Sequence, residues 1–206
     1  MKPFSAACDE NKQPILGVIQ HYFSKATTIL EIGSGTGQHA VFFAEQLPHL
    51  QWFCSDQLVH HAGIRQWLAE FRKTNIPGTN ISGPYELDVR HPIWPQADDT
   101  GANFTGVFSA NTAHIMSWPE VKLMFAGISQ RLTSDGYFCL YGPFNYGGEY
   151  SSASNAQFDY FLKGRDPQSG IRDLAELQKL ASSVSMTFIK DHEMPVNNRI
   201  LVWQKN

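Results

Sequence analysis

The chain has 206 residues, of which 42% are hydrophobic and 17% charged, with a formal net charge of -3. Such a composition is globular rather than disordered, and its slight acidity argues against nucleic acid, whose binding proteins carry a basic patch or stripe. The cysteines Cys8, Cys54 and Cys139 are scattered and form no CxxC pair, which argues against a structural zinc site, and no window approaches the roughly 18 apolar residues of a membrane helix.

Ile15, Val18, Ile19, Tyr22 and Phe23 recur at helical spacing and predict an amphipathic helix with Asn11 as its N-cap. Residues 27–33 are short, β-branched and apolar, the pattern of a buried strand. A glycine turn follows, then a helix over 38–47 that Pro48 stops. Residues 51–56 read as a second strand, and Ile64, Trp67, Leu68 and Phe71 mark the next helix. A short third strand is expected over 85–89 and a fourth over 104–110. Ser117 and Glu120 stand at capping-box spacing around Pro119 and open a helix that Gly136 is expected to close. Residues 137–141 read as a fifth strand, followed by a glycine- and aromatic-rich loop over 142–150. Helices are expected around 155–163 and over 174–184, the latter with Asp173 as N-cap, before strand-like runs at 186–191 and 199–204.

Strands alternating with helices predict a mostly parallel α/β sheet with right-handed crossovers. The last two strands have no helix between them, so a turn must join them and the last runs antiparallel. That ending is the pattern of the seven-stranded Rossmann-like methyltransferase sheet, with helices on both faces, rather than of the dehydrogenase sheet. With no internal repeat, a single domain over residues 1–206 is the simplest partition. Free thiols suit a reducing compartment, and residues 1–24 hold no apolar run of signal-peptide length, so a cytoplasmic protein with no membrane partner is expected.

The chemistry concentrates at Leu30-Glu-Ile-Gly-Ser-Gly-Thr-Gly-Gln-His39, between a strand and a helix, where a glycine turn lets a ligand approach the backbone. Gly33, Gly35 and Gly37 alternate, and Gln38 stands where the dinucleotide fingerprint needs its third glycine. The spacing resembles instead the E-x-G-x-G-x-G motif of S-adenosylmethionine (SAM)-dependent methyltransferases. That resemblance implies that Glu31, Gly33, Ser34, Gly35, Gly37 and Gln38 surround the methionine part of SAM, with Glu31 toward its amine. Asp56, about 20 residues after the loop, suits the ribose hydroxyls. Asp88 resembles the acid that accepts the adenine amino group, with Val89 against the ring. Each acid alone also fits a turn or cap; together, each expected at the end of a successive strand, they define a site at the sheet edge where open α/β folds bind ligands.

Asn111 and His114 follow the fourth strand, beside the place where methyltransferases position the transferring methyl. Asn111 is a candidate for cofactor binding and catalysis, and His114 a candidate general base or orienting group; both also fit a purely structural role in the turn. Tyr141, Phe144, Tyr146 and Tyr150 suit an apolar acceptor pocket, and Arg165 with Arg172 an anionic acceptor. His39, His60 and His61 have no evident metal partner, so no metal site is expected.

From end to end the chain resembles the methyltransferase-like protein 26 family and its bacterial relatives. The shared stretches are Asn11-Lys-Gln-Pro-Ile-Leu16, the glycine loop, Trp52-Phe-Cys-Ser-Asp56, Ala110-Asn-Thr-Ala-His-Ile-Met-Ser-Trp118, Leu140-Tyr-Gly-Pro-Phe144, Ser154-Asn-Ala-Gln-Phe-Asp159, Gly170-Ile-Arg-Asp173 and Met194-Pro-Val-Asn-Asn198. The resemblance implies a SAM-dependent methyltransferase fold and activity but supplies no acceptor; a small-molecule acceptor is expected, with a protein acceptor as the other possibility. Two further readings stay open: a non-catalytic SAM-binding subunit or sensor, and an NAD(P)-dependent oxidoreductase, which the glycine spacing and the closing strands disfavour.

Overall fold

A computed structural model describes residues 2–74, 80–98 and 101–206. Its main sheet is built from β1 (Thr28–Ile32), β2 (Gln51–Asp56), β3 (Ile81–Glu86), β4 (Phe104–Ala110), β5 (Leu132–Gly142), β9 (Met186–Glu193) and β10 (Arg199–Lys205). The helices are α1 (Ala6–Tyr22), α2 (Gln38–Gln46), α3 (His61–Thr74), α4 (Trp118–Arg131), α5 (Ala153–Arg165) and α6 (Leu174–Ser183). The strand order is β3-β2-β1-β4-β5-β10-β9. The first five strands are parallel to one another, whereas β10 is antiparallel to both β5 and β9. The chain leaves β1 toward β2 and returns on the other side to β4, so the sheet's switch point lies where β1 and β4 end, the expected place for a ligand.

Both faces of the sheet are covered, which explains why β1, β2 and β4 are buried at nearly every position. Alternate residues of β1 serve opposite sides: Leu30 and Ile32 pack with Val121, Phe125 and Ile128 of α4 and Leu177 of α6, while Ile29 packs with Ile15 and Ile19 of α1, Phe43 of α2 and Ile64 of α3. Trp52 and Trp203 are fully buried, one in each cluster.

Several local expectations shift. α1 starts earlier than Asn11: Ser5 is its N-cap, with Ser5 Oγ accepting from Cys8 N–H at 3.3 Å. The Gln38 side chain holds that end, accepting from Ser5 N–H at 2.6 Å and donating to Ser5 C=O at 3.2 Å. The third strand runs earlier, over Ile81–Glu86, and bends at the Gly83-Pro84 step, where its register with β2 shifts. Asp88 thus lies beyond the strand. α4 ends at Arg131, and Gly136 sits inside β5 at an irregularity that carries the pairing from Leu132 to Tyr137. The 142–150 loop holds β6 (Phe144–Tyr146) and β7 (Glu149–Tyr150), which form a small sheet with β8 (Arg172–Asp173). No helix among the described residues is long and apolar enough to cross a membrane.

Candidate active site

A cavity of about 480 Å³ opens at the sheet's carboxyl edge, lined by the last residues of three strands: Ile32 of β1, Asp56 of β2 and Ala110 of β4. The glycine loop forms one wall. Gly33 and Ser34 both donate their N–H to Ser55 C=O at 3.0 Å, and Ser34 Oγ accepts from Ser55 N–H at 3.1 Å, which fastens the loop to β2. Gly35 N–H donates to Asp56 Oδ2 at 2.7 Å, and Gln57 N–H to Asp56 Oδ1 at 2.7 Å. Each Asp56 oxygen keeps a lone pair for a further donor. Gly35 has φ +57, and a Cβ built on it would meet no atom within 4 Å, so this backbone faces open space. Val89 and Leu87 supply apolar wall.

Of the residues singled out for a cofactor, Gly33, Ser34, Gly35, Asp56, Val89 and Asn111 line this cavity. Glu31, Gly37, Gln38 and Asp88 stand behind it. Glu31 is buried and accepts from Ser34 Oγ at 2.8 Å and Trp52 Nε1 at 3.0 Å; burial raises its pKa to about 7 despite those donors. Gly37 caps α2 and packs against Ile64. Gln38 is engaged with Ser5. Asp88 forms hydrogen bonds and an ion pair with Arg90, which hold its pKa at about 2, and accepts from Gln57 Nε2 at 3.3 Å.

His114 lines a second cavity, also of about 480 Å³, bounded by α1, the β4 loop, α5 and the β9–β10 turn. Asn111, held at φ +59, lines both cavities and marks their junction. His114 is buried, its ring edge against Phe158 at a centroid distance of 5.2 Å. Burial, with the Arg172 charge as a smaller cause, lowers its pKa to about 4, so the imidazole is neutral at pH 7.

The expected aromatic pocket is largely absent from this cavity. Tyr141 lines it, but Phe144 is in the core, Tyr146 Oη donates to Asp191 at 2.7 Å and Tyr150 Oη to Asp159 at 2.7 Å. The arginine pair is also committed elsewhere. Arg172 donates to the carbonyls of Ala113 and Gln168 at 3.0 Å and to that of Met116, and Arg165 lies over the Phe161 ring. Among the described residues no group of three or more His, Cys, Asp or Glu is placed to hold a metal ion.

Sequence reasoning missed α1 as a shared wall. Ser5 and Cys8 line the first cavity, and Ala7, Glu10 and Asn11 the second. The available signal was Asn11, a polar residue in an otherwise amphipathic helix; its Oδ1 meets His39 Nε2 at 2.7 Å. The turn at Pro195, Val196 and Asn198 was likewise missed as a wall.

The sheet order with its single reversed strand and two helical layers is the Rossmann-like methyltransferase fold. Within that class, the profile described as "Protein of unknown function (DUF938)" matches residues 2–205, and the chain belongs to that family. Among solved structures, an O-methyltransferase family 2 protein from Planctomyces limnophilus, in complex with apigenin, matches 97% of this chain at 13% identity and TM-score 0.80. An O-methyltransferase family protein from Burkholderia thailandensis matches 95% at 12% identity and TM-score 0.77. A structure described as PigF with SAH matches 96% at 14% identity and TM-score 0.78. The match covers 58%, 56% and 56% of those chains respectively, so this chain spans little more than half their length.

Proposed function

We propose that the protein is a SAM-dependent methyltransferase acting on a small-molecule acceptor, with residues 1–206 as its single methyltransferase domain. The observation that carries this reading is the pair of cavities meeting at Asn111, the first walled by the glycine loop and Asp56. The first cavity has the size of a small-molecule site. Its features fit SAM: an open cradle at Gly35, a carboxylate with spare acceptor capacity at Asp56, and apolar wall at Leu87 and Val89. Glu31, Gly37 and Gln38 support the loop from behind, and Asp88 holds the segment carrying Val89 through Arg90.

When bound, SAM supplies a methyl group on a sulfonium, an electrophile that needs positioning more than activation. Asp56 accepts the ribose hydroxyls, Asn111 orients groups at the junction, and neutral His114 takes the proton an acceptor must lose. The motif-by-motif resemblance supports placing the chain with methyltransferase-like protein 26 inside its family. Three free thiols support a cytoplasmic setting.

The reading is tested by calorimetric titration with S-adenosylhomocysteine, with NADH in parallel. Micromolar uptake of S-adenosylhomocysteine, weakened at least about tenfold by Asp56→Ala (about 1.4 kcal/mol), is expected. Binding of NADH alone by folded protein would replace the methyltransferase reading with an oxidoreductase.

A further inference from the structure

The second cavity narrows the chemistry of the acceptor, an argument that rests on the methyltransferase reading of the first. Glu10, at the exposed end of the wall, is the one charged side chain among the described residues lining it. The cations nearby are spent. Arg172 is tied to three carbonyls, and Lys163 Nζ pairs with Asp159 at 2.6 Å. A carboxylate or phosphate would therefore enter without a countercharge and meet Glu10.

The wall also carries uncharged polar side chains, of which Asn11, Ser154 and Asn155 are engaged with His39, Ser152 and Ser151 respectively. The His114 imidazole is 6% exposed, lines the cavity and forms no hydrogen bond with the described residues. Asn111 beside it is half-buried, and its side-chain amide has no hydrogen-bond partner among the described residues. Polar groups that face a cavity without a protein partner are available to a ligand, and an imidazole beside an amide can both donate to and accept from one hydroxyl. Phe158, Pro143, Pro195 and Val196 give the wall its apolar part. Val196 is 81% exposed at φ +59, a conformation in which a β-branched residue is an outlier. Such outliers cluster at binding sites, and here it sets an apolar side chain on the cavity wall.

We infer that the second cavity takes an uncharged, hydroxyl-bearing aromatic molecule of the phenol class, its hydroxyl against His114 and Asn111 and its apolar body against Phe158, Pro143 and Val196, and that it refuses carboxylates and phosphate esters. His114 and Asn111 recognise the hydroxyl, and the missing countercharge sets the specificity.

The test uses protein loaded with S-adenosylhomocysteine, its uptake confirmed first by calorimetry. Histidine ring Cε1–H signals are followed by NMR while catechol, benzoate and phenyl phosphate are added in turn, with His114→Asn assigning the His114 signal. Catechol is expected to shift that signal saturably and to bind at least about tenfold more tightly than benzoate or phenyl phosphate. Val196→Lys, at an exposed turn, places a cation on the wall and is expected to raise benzoate affinity about tenfold. Benzoate or phenyl phosphate shifting the His114 signal of the unaltered protein as strongly as catechol would overturn the inference. So would a signal that catechol leaves unmoved in loaded protein. Folded protein that takes up no S-adenosylhomocysteine would instead overturn the methyltransferase reading.

Discussion

Gly33 and Gly35 stand two positions apart and answer to different constraints. Both have positive φ, where an L side chain costs about 1–2 kcal/mol. At Gly33 a Cβ would also stand 2.6 Å from Thr112 Cγ2, and Thr112 is buried with its hydroxyl bonded to Ser109 Oγ at 2.7 Å, so it has little room to yield. At Gly35 a Cβ would point into the cavity. Gly33→Ala is therefore expected to lower stability by roughly 3 kcal/mol. Gly35→Ala should cost only about 1–2 kcal/mol while weakening S-adenosylhomocysteine binding at least about tenfold. Urea unfolding and calorimetry on the same two variants check both halves, and equal losses of stability would refute the division of roles. At this scale the sequence was informative where the ligand-facing group is backbone or follows a strand end, as at Gly35 and Asp56. It was less informative at Asp88, whose partner Arg90 lies two residues away but whose pairing depends on where β3 ends.

The elements differ in legibility according to how local their determinants are. The start of α4 was readable because its capping box is complete within four residues: Ser117 N–H and Oγ both donate to Glu120 Oε2 at 2.8 Å, and Ser117 Oγ accepts from Glu120 N–H at 3.4 Å. Ser117→Ala is expected to cost about 1 kcal/mol in thermal or urea unfolding, the usual loss for an N-cap serine. The start of α1 was not readable, because Ser5 is steadied by Gln38 from the far side of the glycine loop. β1, β2 and β4 announced themselves by short, apolar-rich runs between helical stripes. β3 was expected but placed four residues late, over 85–89, since Pro84 within it reads as a break and its pairing is with β2 on a sheet edge. The second cavity was least legible of all: its walls come from α1, the turn after β4, α5 and the β9–β10 turn, and only the assembled fold brings them together.

The molecule as a whole should carry the mark of its buried titratable groups in its response to pH. His39 is buried against Phe43, and burial lowers its pKa to about 4, as it does for His114. A histidine depressed in the folded state takes up its proton more readily when unfolded, so its stabilising contribution is complete above about pH 6.5 and is lost as pH falls toward about 4. Each could contribute on the order of 3 kcal/mol across that window. Glu31 works the other way: raised to about 7, it contributes fully below its ordinary value and loses that contribution as pH climbs through 7. Two histidines outweigh one carboxyl, so the urea midpoint is expected to fall as pH drops from 6.5 to 4.5. His114→Phe, which removes an imidazole that has no hydrogen-bond partner among the described residues, should flatten that fall. Glu31→Gln should steepen it, because the opposing carboxyl is gone while Ser34 and Trp52 still have an oxygen to donate to. Midpoints measured at several pH values for the three proteins decide the matter: parallel curves would mean that these buried groups do not govern the acid response.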